Sequence, residues 1–551
     1  MPRRIYLMCF VFAACSMLYY LLFSKVLAEM TGDMSIWGSI CAATYLCMLG
    51  LGLLWAEKLD LSQVYRKIAS LELIIAISAP VAFIVLYFWH IIYRIYIFDY
   101  GHLSAEAWPR AWYFGVIAQL PLAWIGFLSG LEAAFLNRLS MQNGLFQLQR
   151  LIATYYFGGL LGSLALILLL APRFEPLHIV LLASTINLLV VAYWLWSFLP
   201  DQRRQSSIHF TITSASMIGC AVVIFFGQLI ETQRKNFYYN HYTWSMDSAG
   251  IVSFQFPKGP IDWWREARQY PEIERHLGPY QVIDFVATPE AANENWTMMM
   301  NGRFQVSSSL EKAYHETFAH VPSMIQNRLG KHILILGGGD GFLAREILKF
   351  DDEIETLTLV DIDAKILHLA RQHKHLKSAN QHSMQHPKLE LQQMDAFIYM
   401  RRQNRKFDRV YLDGLYPYNH ESARLYTVEF LGSVLNALQP DGLLVMLSPI
   451  DIEGNYQPAK DPMQAAIMST LDKAGCQSLA LFAEERHSFM LCSKRQATLV
   501  MPANYQQNVY FRRGFSEDSL MMFKPLSSFF QASYVNSVVK PTFNGLPDSF
   551  F

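Results

Sequence analysis

The sequence has few charged residues and no surplus of either sign. Aspartate, glutamate, lysine and arginine make up 16% of the 551 residues, whereas 52% are hydrophobic, which is too apolar for an ordinary soluble protein. The 45 basic and 45 acidic side chains balance. Because no block of like charge suggests a polybasic tail, nothing in the sequence indicates a nucleic-acid partner.

Cysteine is also scarce, with seven residues in the whole chain. Five of them lie inside apolar segments: Cys9, Cys15, Cys41, Cys47 and Cys220. The other two, Cys476 and Cys492, stand alone, and neither belongs to a CxxC pair. We therefore expect neither a zinc site nor a disulfide framework.

Long hydrophobic runs, in contrast, fill the first 230 residues. Seven runs of about 20 residues occur there, each long enough to cross about 30 Å of hydrocarbon as a helix. They lie at about 5–28, 35–56, 71–97, 112–136, 151–171, 176–199 and 208–230. The pattern predicts that residues 1–230 form an α-helical multispan bundle of about seven helices in the lipid bilayer of the cell membrane.

The basic residues between these runs indicate the orientation of the bundle, since cytoplasmic loops are rich in lysine and arginine. They gather in alternate loops: Arg3, Arg4, Lys58, Arg66, Lys67, Arg138, Arg150, Arg203 and Arg204. The amino terminus should therefore be cytoplasmic. Seven crossings would leave the remaining chain outside the cell. If the 71–97 run with His90 and Arg94 is not a span, six crossings would leave it in the cytoplasm. The sequence leaves both open.

Two kinds of residue stand out inside the runs. Gly126 with Gly130, and Gly158 with Gly162, form small-xxx-small pairs that allow close helix approach. Glu132 is the one acid that we place well within a span, about one turn from its helix end. Intramembrane carboxylates are often functional, but this position also fits a side chain that reaches the interface or bonds a neighbouring helix.

After residue 230 the sequence becomes mixed and polar, and we divide it into a linker, 231–277, and a domain that begins at 278. The segment "KHILILGGGDGFLAREILKF" (331–350) combines a short apolar strand, a glycine-rich loop and an amphipathic helix. Its loop contains Gly337, Gly338, Gly339, Asp340 and Gly341. Glycines let the backbone turn sharply and approach a ligand, and the helix amino terminus favours negative groups. The segment predicts a nucleotide-like ligand.

Acidic residues end three further strands of this domain. "LTLVDID" contains Asp361, "LELQQMDA" contains Asp395 and "FDRVYLD" ends in Asp413, and the strands "GLLVMLS" and "SFMLCSK" follow. Open α/β sheets bind ligands at the carboxyl ends of their strands, where an acid can hold ribose hydroxyls. The pattern therefore predicts a Rossmann-like α/β domain. Each aspartate, taken singly, also fits a loop residue that caps the next helix.

Together these motifs resemble the aminopropyltransferase family, typified by spermidine synthase. The resemblance rests on the GGGDG loop, the VDID strand, the Asp395-Ala396 pair and the strand ending at Asp413, and it extends to "YQVIDFV" (280–286), "MNGRFQVSSSLEKAYHETFAHVP" (300–322) and "LY" (425–426). It covers roughly 278–500 and implies a small β-hairpin region before a class I methyltransferase-type domain. With its apolar first half, the chain resembles the membrane-integral branch of that family. We expect the tail, 501–551, to pack on the domain or the membrane surface.

The resemblance also implies a co-substrate and roles for individual residues. The co-substrate would be decarboxylated S-adenosylmethionine, the acceptor a small amine or polyamine, and no metal would be needed. Asp361 would hold the ribose, Asp395 with Ala396 the adenine, and Gln281 would contact the co-substrate. The backbone of Gly337, Gly338, Gly339, Asp340 and Gly341 would surround it. Asp340 and Tyr314 would bind the aminopropyl ammonium or the amine acceptor.

The chain departs from the family on the acceptor side. The family carries a D-x-x-D-P loop whose second aspartate accepts the amine proton, but here the loop reads Asp413-Gly414-Leu415-Tyr416-Pro417. A tyrosine has an ordinary pKa of about 10 and is a neutral donor near pH 7. Asp413 is therefore the alternative proton acceptor, with Glu311 or Glu316 as nearby acids. A further family acid is replaced by Leu310.

Three functions follow from a complete nucleoside side and an altered acceptor side. The first is aminopropyl transfer to an altered amine acceptor. The second is methyl transfer from S-adenosylmethionine, since one fold hosts both chemistries. The third is a membrane-anchored, non-catalytic nucleoside-binding or scaffold protein. The sequence is also compatible with a homo-oligomer.

A histidine-rich stretch, 368–388, raises the question of a metal. Its histidines are His368, His373, His375, His382 and His386. They lack a recurring ligand spacing, so a solvated helix and loop is the better interpretation.

Overall fold

The computed structural model divides the chain into two compact units, Met1–Leu277 and Gly278–Phe551. The structure describes residues 2–31, 34–59, 63–93, 113–142, 148–198, 203–225, 273–287, 296–301, 303–414, 417, 420–448, 462–483, 487–516 and 522–525. Each unit is considered by itself below.

The described part of the first unit is almost entirely helical. Its helices are α1 (Pro2–Thr31), α2 (Met34–Ala56), α3 (Val64–Tyr93), α4 (Leu120–Gln142), α5 (Leu148–Ala165), α6 (Pro176–Phe198) and α7 (Arg203–Phe225). A π-helical turn, Tyr113–Ile117, precedes α4, and another, Leu166–Leu170, continues α5. The short strand β1 (Glu274–Leu277) ends the unit. The predicted apolar helical bundle is therefore confirmed.

Six of these helices are long and apolar enough to cross a membrane. The candidate spans are Arg4–Leu27, Trp37–Ala56, Val64–Tyr87, Gly115–Met141, Gln149–Leu170 and Pro176–Phe198. The seventh predicted run, 208–230, lies partly in α7, whose apolar stretch in the described residues is only Phe210–Ala221. Large apolar side chains such as Leu46, Leu168 and Trp196 face outward from the spans, and 62–74% of their surface is exposed. Such a surface suits lipid rather than water.

Glycines bring two pairs of helices into backbone contact. A Cβ atom at Gly130 would collide with the carbonyl of Leu49 in α2, and one at Gly158 would collide with the carbonyl of Phe10 in α1. A Cβ at Gly162 would lie 2.5 Å from the carbonyl oxygen of Ala14. The close approach predicted from the small-xxx-small pairs is confirmed for these helices.

The structure corrects the position of the intramembrane acids. Glu132 lies near the middle of α4 and not about one turn from its end, because α4 continues through the polar "NRLSMQ" segment to Gln142. It is also not the only acid within a span. Helix α3 begins at Val64, seven residues before the predicted run, so that Glu72 lies well inside the helix. Both helices are longer than the apolar runs that predicted them, because the polar turns at their ends are also helical.

The second unit contains an eight-stranded sheet. Its strands are β5 (His332–Gly337), β6 (Thr356–Asp361), β7 (Leu389–Gln393), β8 (Phe407–Asp413), β9 (Leu438–Ser448), β10 (Ser478–Ala483), β11 (Ser488–Ser493) and β12 (Met522–Pro525). Their order across the sheet is β12-β10-β11-β9-β8-β5-β6-β7. Strands β7, β6, β5, β8 and β9 are parallel, whereas β10, β11 and β12 pair antiparallel. This topology confirms the predicted Rossmann-like, methyltransferase-type domain.

Three strands precede this domain, as the predicted β-hairpin region requires. They are β2 (Val282–Ala287), β3 (Trp296–Met300) and β4 (Arg303–Ser307), and they pair antiparallel in chain order. Nine further helices in the described residues of the unit are α8 (Glu311–Gln326), α9 (Phe342–Leu348), α10 (Ala364–Gln372), α11 (Lys374–Ala379), α12 (Ala396–Arg402), α13 (His420–Ala423), α14 (Val428–Ala437), α15 (Pro462–Ala474) and α16 (Val509–Gly514).

Both faces of the sheet are buried, as expected for parallel strands covered by helices. Along β5, Ile333 and Ile335 pack in one core cluster with Phe318 of α8. The alternate residues Leu334 and Leu336 pack in another. This packing explains the uninterrupted apolar run before the glycine loop.

The structure contains a disulfide between Cys476 and Cys492, with Cα atoms 5.8 Å apart. The expectation of no disulfide was therefore wrong. Cys476 lies just before β10 and Cys492 lies in the adjacent antiparallel strand β11. The two residues are brought together by strand pairing, so that no local cysteine motif announces the contact.

The described part of the tail folds onto the second unit. Strand β12 pairs with β10 at the edge of the sheet. Tyr510 of α16 is buried in the core, and its hydroxyl donates a hydrogen bond of 2.5 Å to Glu353.

Candidate active site

The candidate site lies where neighbouring parallel strands diverge in chain order. From β5 the chain adds β6 and β7 on one side of the sheet, and β8 and β9 on the other. Ligands of open α/β sheets bind at such a point, outside the carboxyl ends of the strands. Gly337 at the end of β5 is in register with Asp413 at the end of β8. The glycine loop and the predicted proton acceptor therefore share one edge.

Two glycines allow this close approach. Gly337 and Gly338 have φ values of +92° and +66°, which residues other than glycine rarely adopt. A Cβ atom at Gly337 would collide with the carbonyl of Asp413, and one at Gly338 would lie 2.8 Å from Oδ2 of Asp413. The N–H of Gly338 instead donates a hydrogen bond of 3.0 Å to the Asp413 carbonyl.

Asp361 is held by backbone groups at the end of β6. The N–H of Gly339 donates to its Oδ2 at 3.0 Å, and the N–H of Asp363 donates to its Oδ1 at 2.8 Å. Burial raises the pKa of Asp361 to about 6, and the neighbouring carboxylates of Asp363 and Asp340 also raise it. The carboxylate is thus fixed in orientation beside the glycine loop.

Gln281 reaches the same corner from the start of the hairpin region. Its Nε2 donates a hydrogen bond of 2.8 Å to Oδ2 of Asp363. Asp363 also caps α10, since its Oδ1 accepts from the N–H of Lys365 at 2.9 Å. The structure therefore places Gln281 next to the loop that carries Asp361.

Asp340 and Asp413 face a histidine, His315 of α8, and the charges of both carboxylates act on its ring. Nδ1 of His315 donates to the carbonyl of Glu311 at 2.6 Å. Burial works to lower the pKa of His315, but the hydrogen bonding of Glu311 and the charges of Asp340 and Asp413 outweigh it, so the pKa lies above its ordinary value. The segment 300–322 contributes to the family resemblance, but the sequence analysis gave His315 no role. Its position one residue after Tyr314 was the available signal.

Asp413 is a buried carboxyl group whose pKa lies near neutral pH. Burial raises its pKa to about 7; the charge of His315 opposes this shift, and those of Asp340 and Asp361 support it. Burial likewise raises the pKa of Asp340, whose Oδ1 accepts from the N–H of Phe342 at 3.1 Å. Three carboxylates thus meet at one edge, a setting that attracts cations.

Asp395 has an additional role that the capping alternative anticipated. Its Oδ1 accepts from the N–H groups of Phe397 at 2.8 Å and Ile398 at 3.2 Å, at the start of the helix that begins with Ala396. Its Oδ2 forms an ion pair with Arg424. The structure therefore shows Asp395 as a helix cap with a cationic partner at the carboxyl end of β7.

Of the two tyrosines predicted on the acceptor side, the structure describes Tyr314 but not Tyr416. The ring of Tyr314 contacts those of His487 and Phe489 edge to face, with centroids 5.0 Å apart in each case. Tyr416 lies outside the described residues, as does Leu415 before it.

The two glutamates considered as replacement acids are occupied. The carboxylate of Glu311 accepts hydrogen bonds from both terminal nitrogens of Arg345, at 2.9 and 2.8 Å. Glu316 is also engaged, because its Oε2 accepts from the N–H and the hydroxyl of Ser516, each at 2.9 Å. Asp413 therefore remains the candidate proton acceptor.

Comparison with known proteins identifies related sequences. Residues 311–456 match the family described as "Spermine/spermidine synthase domain". The chain is 28% identical over 355 residues to a polyamine aminopropyltransferase of Oceanobacillus iheyensis, which covers 63% of this chain but only 62% of that protein. It is 26% identical over 460 residues to one of Leptospira interrogans, which covers 83% of this chain and 81% of that protein. The second alignment is longer than the second unit, so the similarity extends into the first.

Solved structures are also similar to this chain. A spermidine synthase in complex with the transition-state analogue AdoDATO is 23% identical, with a TM-score of 0.36, and the alignment covers 44% of this chain and 79% of that one. The spermidine synthase of Thermotoga maritima is 24% identical, with a TM-score of 0.35, and the coverage is 44% and 78%.

Proposed function

The chain belongs to the spermidine synthase family, and we therefore propose that it transfers the aminopropyl group of decarboxylated S-adenosylmethionine to an amine. The observation that carries the proposal is the meeting of Asp340, Asp361 and Asp413 around the glycine loop. A sulfonium with an aminopropyl arm and an amine acceptor are both cations. An edge lined by carboxylates suits both.

In the proposed reaction the amine nitrogen attacks the carbon next to the sulfonium. A carbon–nitrogen bond forms, the carbon–sulfur bond breaks with its electron pair going to sulfur, and methylthioadenosine leaves. The new ammonium then loses one proton. Only a neutral amine can attack, so a nearby group must accept a proton during the reaction.

Asp413 is the proposed proton acceptor. A general base works best when its pKa lies near the working pH, and burial raises the pKa of Asp413 to about 7. The phenol of Tyr416, with an ordinary pKa of about 10, would hold its proton. His315, which faces Asp413, is a positioning residue in this scheme.

The other site residues act on the co-substrate. Asp361 accepts hydrogen bonds from the ribose hydroxyls, and Gln281 supports its loop through Asp363. Asp395 accepts from the adenine amine, with Arg424 fixing its carboxylate. Asp340 and Tyr314 bind the ammonium of the aminopropyl arm or of the acceptor.

The acceptor should carry less positive charge near the loop than the family's diamine. Tyr416 and Leu310 stand where the family has acids, so fewer carboxylates are available to neutralise a second ammonium. An amine with one cationic group suits this site better than a diamine.

The decisive experiment supplies the full chain, in lipid nanodiscs, with decarboxylated S-adenosylmethionine and a panel of mono-, di- and triamines. Release of methylthioadenosine with at least one amine, abolished in Asp413→Asn, is expected. Binding of the co-substrate without product for any amine would contradict the proposal and support a non-catalytic domain. A parallel reaction with S-adenosylmethionine, in which S-adenosylhomocysteine alone forms, would identify a methyltransferase instead.

We further propose that the protein is a multi-pass protein of the cell membrane, anchored by the six candidate spans. Six crossings from a cytoplasmic amino terminus return the chain to the cytoplasm. This would satisfy a transferase that uses a cytosolic co-substrate.

A further inference from the structure

Two acids are buried within the helical bundle of the first unit. Glu132 of α4 is fully buried and Glu72 of α3 is 1% exposed. The two helices pack against each other, and the carboxylates are close enough to interact electrostatically. Burying an ionised carboxylate in an apolar medium is costly unless a partner compensates it. A pair of acids therefore requires an explanation.

The two acids lie at the same depth. Glu72 is eight residues after Val64, where its span begins, and Glu132 is nine residues before Met141, where its span ends. At 1.5 Å per residue these positions are about 12 and 14 Å along the helix axis from those span ends. Consecutive spans run in opposite directions, so both positions are measured from the same surface.

Polar groups from other helices surround the pair. The hydroxyl of Ser16 in α1 donates a hydrogen bond of 3.0 Å to Oε2 of Glu132. Asn187 of α6 lies beside Glu72, and the charges of both acids act on Tyr155 of α5. The helices that carry these groups pack together around α1 and α3. The cluster is thus built from five helices.

Several acceptor atoms of this cluster have no partner in the described part of the chain. Oε1 of Glu132, Oδ1 of Asn187 and the hydroxyl of Tyr155 are buried without a hydrogen bond, whereas the carboxyl group of Glu72 interacts with the side chain of Asn187. No lysine, arginine or histidine is among the described buried residues of the first unit. The cluster therefore presents carboxyl groups and other hydrogen-bond acceptors to something that the described side chains do not supply.

We propose that Glu72 and Glu132 form a binding site for the ammonium group of an alkylamine within the bundle. An ammonium carries positive charge and donates three hydrogen bonds, which match the carboxylate, amide and hydroxyl acceptors. Its alkyl chain suits the apolar walls of the bundle. The choice of an amine rather than a metal cation rests on the proposed function, because the second unit would consume amines.

The test uses the full chain in lipid nanodiscs and a hydrophobic carbodiimide, which modifies carboxyl groups buried in membranes. Labelling at Glu72 and Glu132 is located by mass spectrometry, with 1,4-diaminobutane as the probe. The diamine at ten times its Kd should slow labelling about tenfold, since it occupies most of the sites. Labelling of the exposed Glu57 should not change, and uncharged 1,4-butanediol should not protect.

Variants provide a second measurement. Glu72→Gln and Glu132→Gln should each weaken diamine binding by about ten- to a hundredfold, because each removes a charged hydrogen-bond acceptor. Glu57→Gln, at an exposed position just after α2, is the matched control. Binding is measured in an Asp340→Asn background so that the candidate active site does not contribute. Retained helical circular dichroism shows that a variant has folded.

The outcomes separate this inference from the proposed transferase activity. Protection by the diamine in a protein without transferase activity supports the membrane site and contradicts only the proposed function. Unchanged labelling in the presence of diamine overturns the membrane site even if the transferase is active. Equal protection by sodium or potassium at the same concentration overturns the assignment to an amine.

Discussion

The backbone N–H of Gly339 donates a hydrogen bond of 3.0 Å to Oδ2 of Asp361. The glycine loop after β5 therefore holds the acid that ends β6, although the two residues belong to separate sequence motifs. The orientation of Asp361 depends on a close backbone approach, so the site is sensitive to any side chain added at Gly339.

Replacement of Gly339 by alanine should impair binding of the co-substrate. The added Cβ would lie 2.5 Å from Oδ2 of Asp361 and 2.8 Å from Ile366. Overpacking of this kind costs about 1–3 kcal/mol, so the KM for decarboxylated S-adenosylmethionine should rise by about five- to 150-fold. Gly432→Ala, where the Cβ would meet only the carbonyl of Ala474 at 3.8 Å, is the control. An unchanged KM in Gly339→Ala would contradict the role given to Asp361.

The pH dependence of activity should report Asp413. Because its pKa is raised to about 7, the carboxyl group keeps its proton below that pH and cannot accept another. Activity, as kcat/KM, should therefore fall as the pH decreases through about 7. Asp413→Asn should remove this acidic limb of the pH profile together with most of the activity. Asp441→Asn, at an exposed position, should keep both the limb and the activity. A limb that persists in the residual activity of Asp413→Asn would assign the proton acceptor elsewhere.

Removal of the Arg345 guanidinium should destabilise the second unit strongly. Arg345 and Glu311 are each 3% exposed and form a two-point ion pair. Arg345→Gln removes the two-point partner of the buried Glu311 carboxylate and leaves it only the longer contact with His315, at a cost of roughly 3–5 kcal/mol. Unfolding of the full chain by urea, followed by fluorescence, would measure the change.

An exposed ion pair is the matched control for that variant. Arg405 and Glu390 lie 2.5 Å apart with side chains 57% and 39% exposed. Arg405→Gln should change the free energy of unfolding by about 1 kcal/mol or less. Equal effects of the two substitutions would contradict the structural role of Arg345.

Restoring the family's acid should change the choice of acceptor. Tyr416→Asp should raise the rate with 1,4-diaminobutane by about a hundredfold, the low end of what a general base or its charge contributes. Tyr416→Phe should match the unchanged protein, since the phenol is not the proposed base. Loss of activity in Tyr416→Phe would show that the hydroxyl takes part in the reaction.

The six candidate spans predict the side on which the second unit is exposed. Lys331, whose side chain is 68% exposed, can be replaced by cysteine in a Cys47→Ser protein. A membrane-impermeant maleimide should label Lys331→Cys in inside-out vesicles and not in intact cells. Labelling of intact cells would instead indicate an odd number of crossings.

Much of the fold was predictable because its signals are local. The segment 331–350 contains a strand, a loop and a helix in one stretch, and the structure has all three. Helix ends were harder to predict from apolar content, since α3 and α4 continue through polar turns. The contact between Cys476 and Cys492 was missed because strand pairing, not spacing, creates it.

The candidate site, too, was predictable only in part from the sequence. The identities of Asp361, Asp395 and Asp413 follow from their places at strand ends, but their environments do not. The ion pair of Asp395 with Arg424, and the proximity of His315 to Asp413, join segments that are far apart in the chain.

The sequence by itself determined the class of each half, because apolar runs and strand–glycine–helix motifs are properties of contiguous residues. Only the tertiary structure decided which acids share an environment. Glu72 meets Glu132 across two helices, and Asp413 meets Asp340 and Asp361 at one sheet edge. Burial and charge interactions depend on distances in space and not on separation along the chain. The environments of these carboxylates therefore follow only from the tertiary structure.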